Sequence, residues 1–194
     1  MRFLVLGPLE VFEEGGDPLP IAGSKERTIL ACLISRAGRA VSNEDLIENL
    51  WGEQPPRTAE KTLSSYVSRL RRDLSPARPD SSSEIIVFRG RGYALIGDGH
   101  EVDAATFEQL AQEGHELLAA GQTKGASQLL VRALGLWRGD AYQGCRYTTF
   151  AAAEGERLDE VRRTTAENLI ESSRTPSVPI MMLASRSPWR LTCD

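Results

Sequence analysis

The order of hydrophobic periods along this 194-residue chain predicts an α+β winged helix-turn-helix domain followed by an all-α, truncated domain of helical hairpins. Three observations carry that prediction. Short apolar runs fill the first 22 residues, three segments of helical period follow between 24 and 74, and two more apolar runs flank Arg89-Gly90-Arg91-Gly92. Strands, three helices and a hairpin, in that order, are the layout of a winged helix with an N-terminal sheet.

Residues 3–7 (FLVLG) and 9–12 (LEVF) are apolar and separated by Gly7-Pro8, and residues 19–22 (LPIA) follow the turn-rich EEGGDP. These three runs are expected to pair as a small antiparallel sheet. Ser24 is the expected N-cap of the first helix, although Arg27 stands where a capping box wants Glu or Gln. Ile29, Leu30, Leu33 and Ile34 then repeat at helical spacing, and Gly38 closes the segment. The second helix opens at Ser42 with Asp45 three positions on, carries Leu46, Ile47, Leu50 and Trp51, and stops at Gly52 and Pro55-Pro56. The third starts near Thr58 and places Leu63, Val67, Leu70 and Leu74 on one face. After a loop with Pro76, Pro79 and three serines, residues 84–97 read as a hairpin whose glycines supply the positive φ of a tight turn.

From about residue 103 the pattern is helical. Residues 103–122 are acidic and amphipathic through Phe107, Leu110, Ala111, Leu117 and Leu118. Residues 126–137 place Leu129, Leu130, Ala133, Leu134 and Trp137 on one side. A loop through Gly139, Gly144 and Tyr147 leads to a charged helix from 150 to about 171. The expected domains are therefore 1–98 and 99–174, joined at Gly97-Asp98-Gly99, the second opening with a pair of tetratricopeptide size. Residues 175–194 hold Pro176, Pro179 and Pro188 with little periodicity, and are expected to be a disordered or loosely attached tail.

Charge locates the candidate site. The whole chain carries a formal −4, yet residues 61–91 hold seven basic and three acidic side chains, so that segment is +4 and the remainder −8. A basic face on an acidic body is expected. On a wheel of 100° per residue, Lys61, Ser65, Ser68 and Arg72 lie opposite the apolar face of the third helix, with Arg69 and Ser64 flanking and Thr62 beside them. The stripe contains no acid. It is equally compatible with a solvated face, but its small central residues would let the helix backbone approach a surface while lysine and arginine reach phosphates or guanine edges. Arg89 and Arg91 sit at the hairpin tip, where a wing meets the sugar-phosphate backbone or minor groove. Helix, hairpin and charge asymmetry together point to double-stranded DNA.

The run WGEQPPRTAEKTLSSYVSRLRRDL followed by FRGRGYAL resembles the OmpR-type winged helix. With VSNEDLIENLWGEQPP, EVDAATFEQL and ALGLWRGDAY, the chain resembles the Streptomyces antibiotic regulatory protein family from about residue 3 to 172. That family joins the winged helix to a bacterial transcriptional activation domain. The resemblance implies a cytoplasmic, nucleoid-associated, pathway-specific activator of secondary-metabolite genes. Such an activator binds direct repeats near promoters, with head-to-tail contacts between copies on DNA, and recruits RNA polymerase holoenzyme through its sigma-factor region. The helix over residues 58–74 matches the recognition helix and residues 89–92 the wing. The turn over residues 52–57, with Glu53, Gln54 and Arg57, matches the loop that approaches polymerase. The family's helical domain normally continues beyond the point where the pattern here breaks near Arg174, which leads to the expectation of a truncated or frame-altered C-terminus.

Other functions find little support in the residues. Cys32, Cys145 and Cys193 are scattered, and His100 and His115 each stand alone as expected surface residues, so no metal, disulfide or nucleophilic constellation is expected. Gly90-Arg91-Gly92 opens no helix, and no GxxxxGK[ST] occurs, so no cofactor is expected. Trp51 and Trp137 read as core residues, and no enzyme is expected. No apolar stretch approaches the roughly 18 residues of a membrane span. A receiver domain is not expected ahead of a sheet that begins at Phe3. The remaining alternative is a protein-interaction module that works through its helical hairpins, with the winged helix as scaffold.

Overall fold

The computed structural model describes residues 1–75, 85–96 and 100–174. The expected tail at 175–194, the loop at 76–84 and the junction at 97–99 lie outside these. Twelve elements occur among the described residues, beginning with β1 (Arg2–Leu4), β2 (Glu10–Phe12), α1 (Ser24–Ser35), β3 (Val41–Ser42), α2 (Asn43–Trp51) and α3 (Ala59–Leu74). They continue with β4 (Ile86–Arg89), β5 (Gly92–Leu95), β6 (Glu101–Val102), α4 (Asp103–Ala119), α5 (Thr123–Leu134) and α6 (Thr149–Arg174). A winged helix thus precedes a helical region, as the periodicity predicts.

The local signals act at α2. The Ser42 hydroxyl accepts the Asp45 amide at 3.0 Å, and Gly52 ends the helix at φ +60°. At α1 the expected register is off by one. Gly23 is the N-cap and Ser24 is already helical, so the acid three residues after the cap is Glu26.

The first sheet differs from expectation. β1 pairs antiparallel with β2, but its other neighbour is β6, which runs parallel to it, and not residues 19–22. Those residues form no strand. The Leu19 amide still donates to the Val11 carbonyl, and Leu19 and Ile21 are buried, so the run is used for its apolar side chains. In the second sheet β5 lies between β3 and β4, and its register sets Val41 opposite Tyr93 and Ser42 opposite Gly92. Gly92 is required there by space. A Cβ would lie 1.8 Å from the Val41 carbonyl oxygen.

The two regions share one core. Phe3, Val5 and Leu6 join α1, α3 and Ile86 in a buried cluster that runs on through Phe107, Ala133, Tyr142 and Leu158. The chain leaving β1 lies along residues 138–143. Arg138 donates its amide to the Leu6 carbonyl and Tyr142 its amide to the Val5 carbonyl, each at 2.7 Å. The amides of Val5 and Leu6 go the other way, to the two carboxylate oxygens of Asp103 at 2.7 and 3.0 Å. Asp103 is the first residue of α4 and buried; Arg138 sits 3.6 Å from it and also pairs with Glu10. Burial pushes the Asp103 carboxyl above its usual range, while the two amides and Arg138 oppose the shift.

α4 and α5 form a hairpin that closes tightly where Gly114 faces Leu130; a Cβ on that glycine would come within 2.7 Å of the leucine Cδ2. Trp137 falls beyond the end of α5 instead of on it, and its ring meets Phe107 edge-on at 5.3 Å. His100 is half-buried with its ring edge-on to Phe3 at 5.5 Å, not a surface residue, and burial holds its pKa below the ordinary value.

Two substitutions test these contacts. Asp103→Asn retains one acceptor but turns an NH2 toward the second amide, so unfolding free energy at pH 7 should fall by about 1–3 kcal/mol. Calorimetry would detect this as a melting midpoint lower by roughly 2–4 °C per kcal/mol, and an unchanged midpoint would contradict the clasp. Gly92→Ala should part β3 from β5, cost on the order of 1–3 kcal/mol, and speed hydrogen exchange at Asn43, whose amide donates to the Arg91 carbonyl.

Candidate nucleic-acid interface

Helix α3 is held by one face. Leu63, Val67, Leu70 and Leu74 are all 2% exposed or less, which turns the opposite side outward. Lys61, Ser64, Ser65, Ser68, Arg69 and Arg72 are exposed on that side, and Thr62 is half-buried beside them. The Ser65 hydroxyl donates to the Lys61 carbonyl at 3.0 Å and the Ser68 hydroxyl to the Ser64 carbonyl at 2.9 Å. Both serines thus fold their hydroxyls down onto the helix, keeping the centre of the stripe low.

The three arginines of the helix take three different environments. Arg72 is exposed on the outward stripe. Arg71 turns the other way, and its Nε donates to the Ile86 carbonyl at 2.8 Å, tying the helix to the hairpin. Arg69 sets its Nε 3.3 Å from the Oε1 of Glu26, with its guanidinium carbon 4.9 Å from the centre of the Tyr66 ring. Sequence reasoning placed Arg69 on the flank but did not single out Glu26. The available signal was the spacing Gly23-x-x-Glu26, a glycine N-cap with an acid three residues on.

The hairpin is anchored where it approaches this helix. Val41 and Ser42 pair with β5, Asn43 donates its amide to the Arg91 carbonyl at 3.0 Å, and Gly90 takes φ +63° in the two-residue turn. Arg89 and Arg91 are exposed at the tip. Phe88 beside them is 55% exposed, its ring edge-on to Tyr93 at 5.3 Å.

Between α2 and α3, Glu53, Gln54 and Arg57 are all exposed. This turn starts from Trp51, which is only half-buried and stacks on Tyr66 at 6.3 Å and 25° instead of lying in the core.

The buried thiols do not make a reactive site. Burial pushes Cys32 up to about 12 and Cys145 above its usual value. Among the described residues no cluster of three histidine, cysteine, aspartate or glutamate side chains could hold a metal, and no helix is long and apolar enough to cross a membrane.

Comparison with known proteins agrees with this arrangement. Residues 20–95 match the family "Transcriptional regulatory protein, C terminal", and residues 102–175 match the "Bacterial transcriptional activator domain". The chain is 34% identical to the regulatory protein DnrI of Streptomyces peucetius over 89% of its own length and 64% of that protein. It is also 34% identical to the regulatory protein AfsR of Streptomyces coelicolor, covering 88% of this chain and 16% of AfsR. The transcriptional regulator RedD of the same species is 37% identical, with 87% and 48% covered. The chain therefore spans less than two thirds of these relatives. Among solved structures, Mycobacterium tuberculosis EmbR in complex with a low-affinity phosphopeptide matches at a TM-score of 0.80 and 32% identity, over 89% of this chain and 45% of EmbR. Both matched regions occur in the order and positions of the two folded parts described above, and the chain belongs to the Streptomyces antibiotic regulatory protein family of transcriptional regulators.

Proposed function

We propose that the chain is a sequence-specific, duplex-DNA-binding transcription activator. In this reading α3 enters the major groove and the β4–β5 hairpin lies against the neighbouring backbone. The observation that carries it is the outward face of α3, where Lys61 and Arg72 bracket two serines folded flat against the helix, with no acid on the stripe. A helix backbone can come close to bases there while its ends meet phosphate. Arg89 and Arg91 extend the same charge on a hairpin whose aim is set by its bonds to the start of α2.

Finer points follow from the family. The regulated genes belong to a secondary-metabolite pathway, the operator is a pair of direct repeats, and two copies sit head-to-tail on it. Glu53, Gln54 and Arg57, exposed on the turn before α3, face RNA polymerase holoenzyme at its sigma-factor region. Their exposure on that turn supports the role.

Titration of the protein with a duplex selected from a randomised pool, at several salt concentrations, tests the reading. Log K should fall steeply with log salt, and Arg72→Ala should reduce the slope by about 0.9, one phosphate contact. A Lys61→Ala, Arg69→Ala, Arg72→Ala triple variant should bind no better than the non-specific level, roughly 10⁻⁴–10⁻⁶ M at physiological salt. Wild-type protein that shows no salt-dependent affinity for duplex would instead favour the helical hairpins as the working surface. Retained tight binding by the triple variant would remove α3 from the interface.

A further inference from the structure

We propose that Glu26 is a positioning residue for Arg69, and that the pair makes Arg69 a reader of a guanine edge rather than a phosphate contact. The inference rests on the DNA-binding reading above and concerns one base position within the operator.

Glu26 is unusual in its place. It is 6% exposed, in a helix whose neighbouring buried residues, Thr28 to Ile34, are mostly apolar. A carboxylate at that depth needs a cation, and the cation beside it is Arg69 of α3. Space for the carboxylate is made by the residue that precedes the helix. A Cβ on Gly23 would lie 1.8 Å from Oε2 of Glu26. Gly23 has φ −83°, which any residue adopts, so the glycine serves this carboxylate and not the backbone.

A second contact fixes the guanidinium from above. It covers the Tyr66 ring, Tyr66 stacks on Trp51, and the Lys25 ammonium lies 5.8 Å from the Trp51 ring centre while also donating to the Leu50 carbonyl. Lys25 and Glu26 are adjacent in α1. The stack therefore closes on itself, running from α1 through the end of α2 to α3 and back. Arg69, with half of its side chain exposed, is gripped at Nε and on one face.

Two consequences follow from that grip. Glu26 uses Nε, and the two terminal nitrogens are the pair that a guanine O6/N7 edge accepts in the plane of the guanidinium. The guanidinium is also neutralised by its partner, which weakens its pull on phosphate and favours a neutral base edge. Arg72 is exposed on the open stripe, with no carboxylate paired to it among the described residues, and its contribution is ordinary counterion release.

The test uses the full chain and a duplex selected by the wild-type protein from a randomised pool. Affinity is measured for that duplex and for every single base-pair change in it, with the salt dependence of the unchanged duplex. Wild type should discriminate for guanine at one position by between about fivefold and a hundredfold. Arg69→Ala should flatten that position alone and leave the salt slope nearly unchanged. Glu26→Ala should flatten the same position to within about threefold, and steepen the salt slope by up to about 0.9 because a freed arginine turns to phosphate. Gly23→Ala, which displaces the carboxylate without changing any charge, should flatten the same position too. It decides the matter if Glu26→Ala fails to melt cooperatively. Glu26→Gln, which keeps an oxygen acceptor for Nε, should fall between wild type and Glu26→Ala. Uniform loss of affinity at all positions, an unaltered base profile, or a shallower salt slope in Glu26→Ala would overturn the proposal. Failure of the wild-type protein to select any consensus would instead defeat the DNA-binding reading itself.

Discussion

The molecule depends on one carboxylate. Two successive backbone amides, at Val5 and Leu6, follow β1 into the core, beyond the residues that pair in the first sheet. Asp103 takes both, one on each oxygen, and it does so from the first turn of α4. A buried N–H left without an acceptor costs on the order of 1–3 kcal/mol, so two of them at adjacent positions would compete seriously with a marginal folding free energy. The same residue follows directly on β6, which completes the sheet by running parallel to β1. One short stretch, residues 101–103, therefore closes the sheet of the winged helix and begins the helical region. The carboxylate is itself buried, and Arg138 returns from beyond α5 to stand against it. The helical region is attached by hydrogen bonds that the winged helix would otherwise lack.

That attachment reaches the interface through α1. Its residues Ile29 to Ile34 lie in the shared core, and it is packed by α3 on one side and α6 on the other. Thr28 in the same helix meets Tyr147, from the loop before α6, at 2.7 Å between hydroxyl oxygens. α1 thus holds contacts to the helical region within two residues of Glu26. Helix α3 is oriented by apolar packing, but the hairpin beside it is oriented by polar bonds: Arg71 to Ile86 from α3, and Asn43 to Arg91 from α2. The hairpin is thus braced against α2 and α3 through backbone carbonyls, which leaves the exposed side chains of α3 and the hairpin tip unused by the bracing.

The parts of this arrangement legible in the sequence are those set by local chemistry. Ser42 caps α2 because its hydroxyl needs only Asp45, three residues away, and the face of α3 follows from a period of 3.6. The parts that were not legible depend on partners far along the chain. Residues 19–22 have strand composition, yet the strand position beside β1 is filled from residue 101, next to Asp103, whose carboxylate takes the amides that follow β1. Trp51 reads as core because apolar rings usually are; here it lies half-buried, stacked on Tyr66 between two cations. The wheel sorts Arg72 and Arg69 by angle, but angle says nothing of what stands opposite, which for Arg69 is Glu26. Arg72 is exposed, as its angle suggests. Glu26 was missed for a smaller reason: the cap is Gly23, and reading it at Ser24 put Arg27 in the acid's place.

An acid this close to a nucleic-acid surface works against affinity. A carboxylate near phosphates repels them, and a chain already at −4 has little positive charge to lose. Its burial resolves the conflict in part. At 8% side-chain exposure Glu26 presents almost no charge to solvent and spends its field on Arg69 at short range. In the proposed reading the pair contributes direction instead of attraction, while Lys61, Arg72, Arg89 and Arg91, at positions open to solvent, supply the attraction. On that proposal non-specific grip and base discrimination fall to different side chains of one small surface. A regulator that must leave most of the genome and stay at one site needs that separation, because raising every arginine's pull on phosphate would tighten right and wrong sites alike.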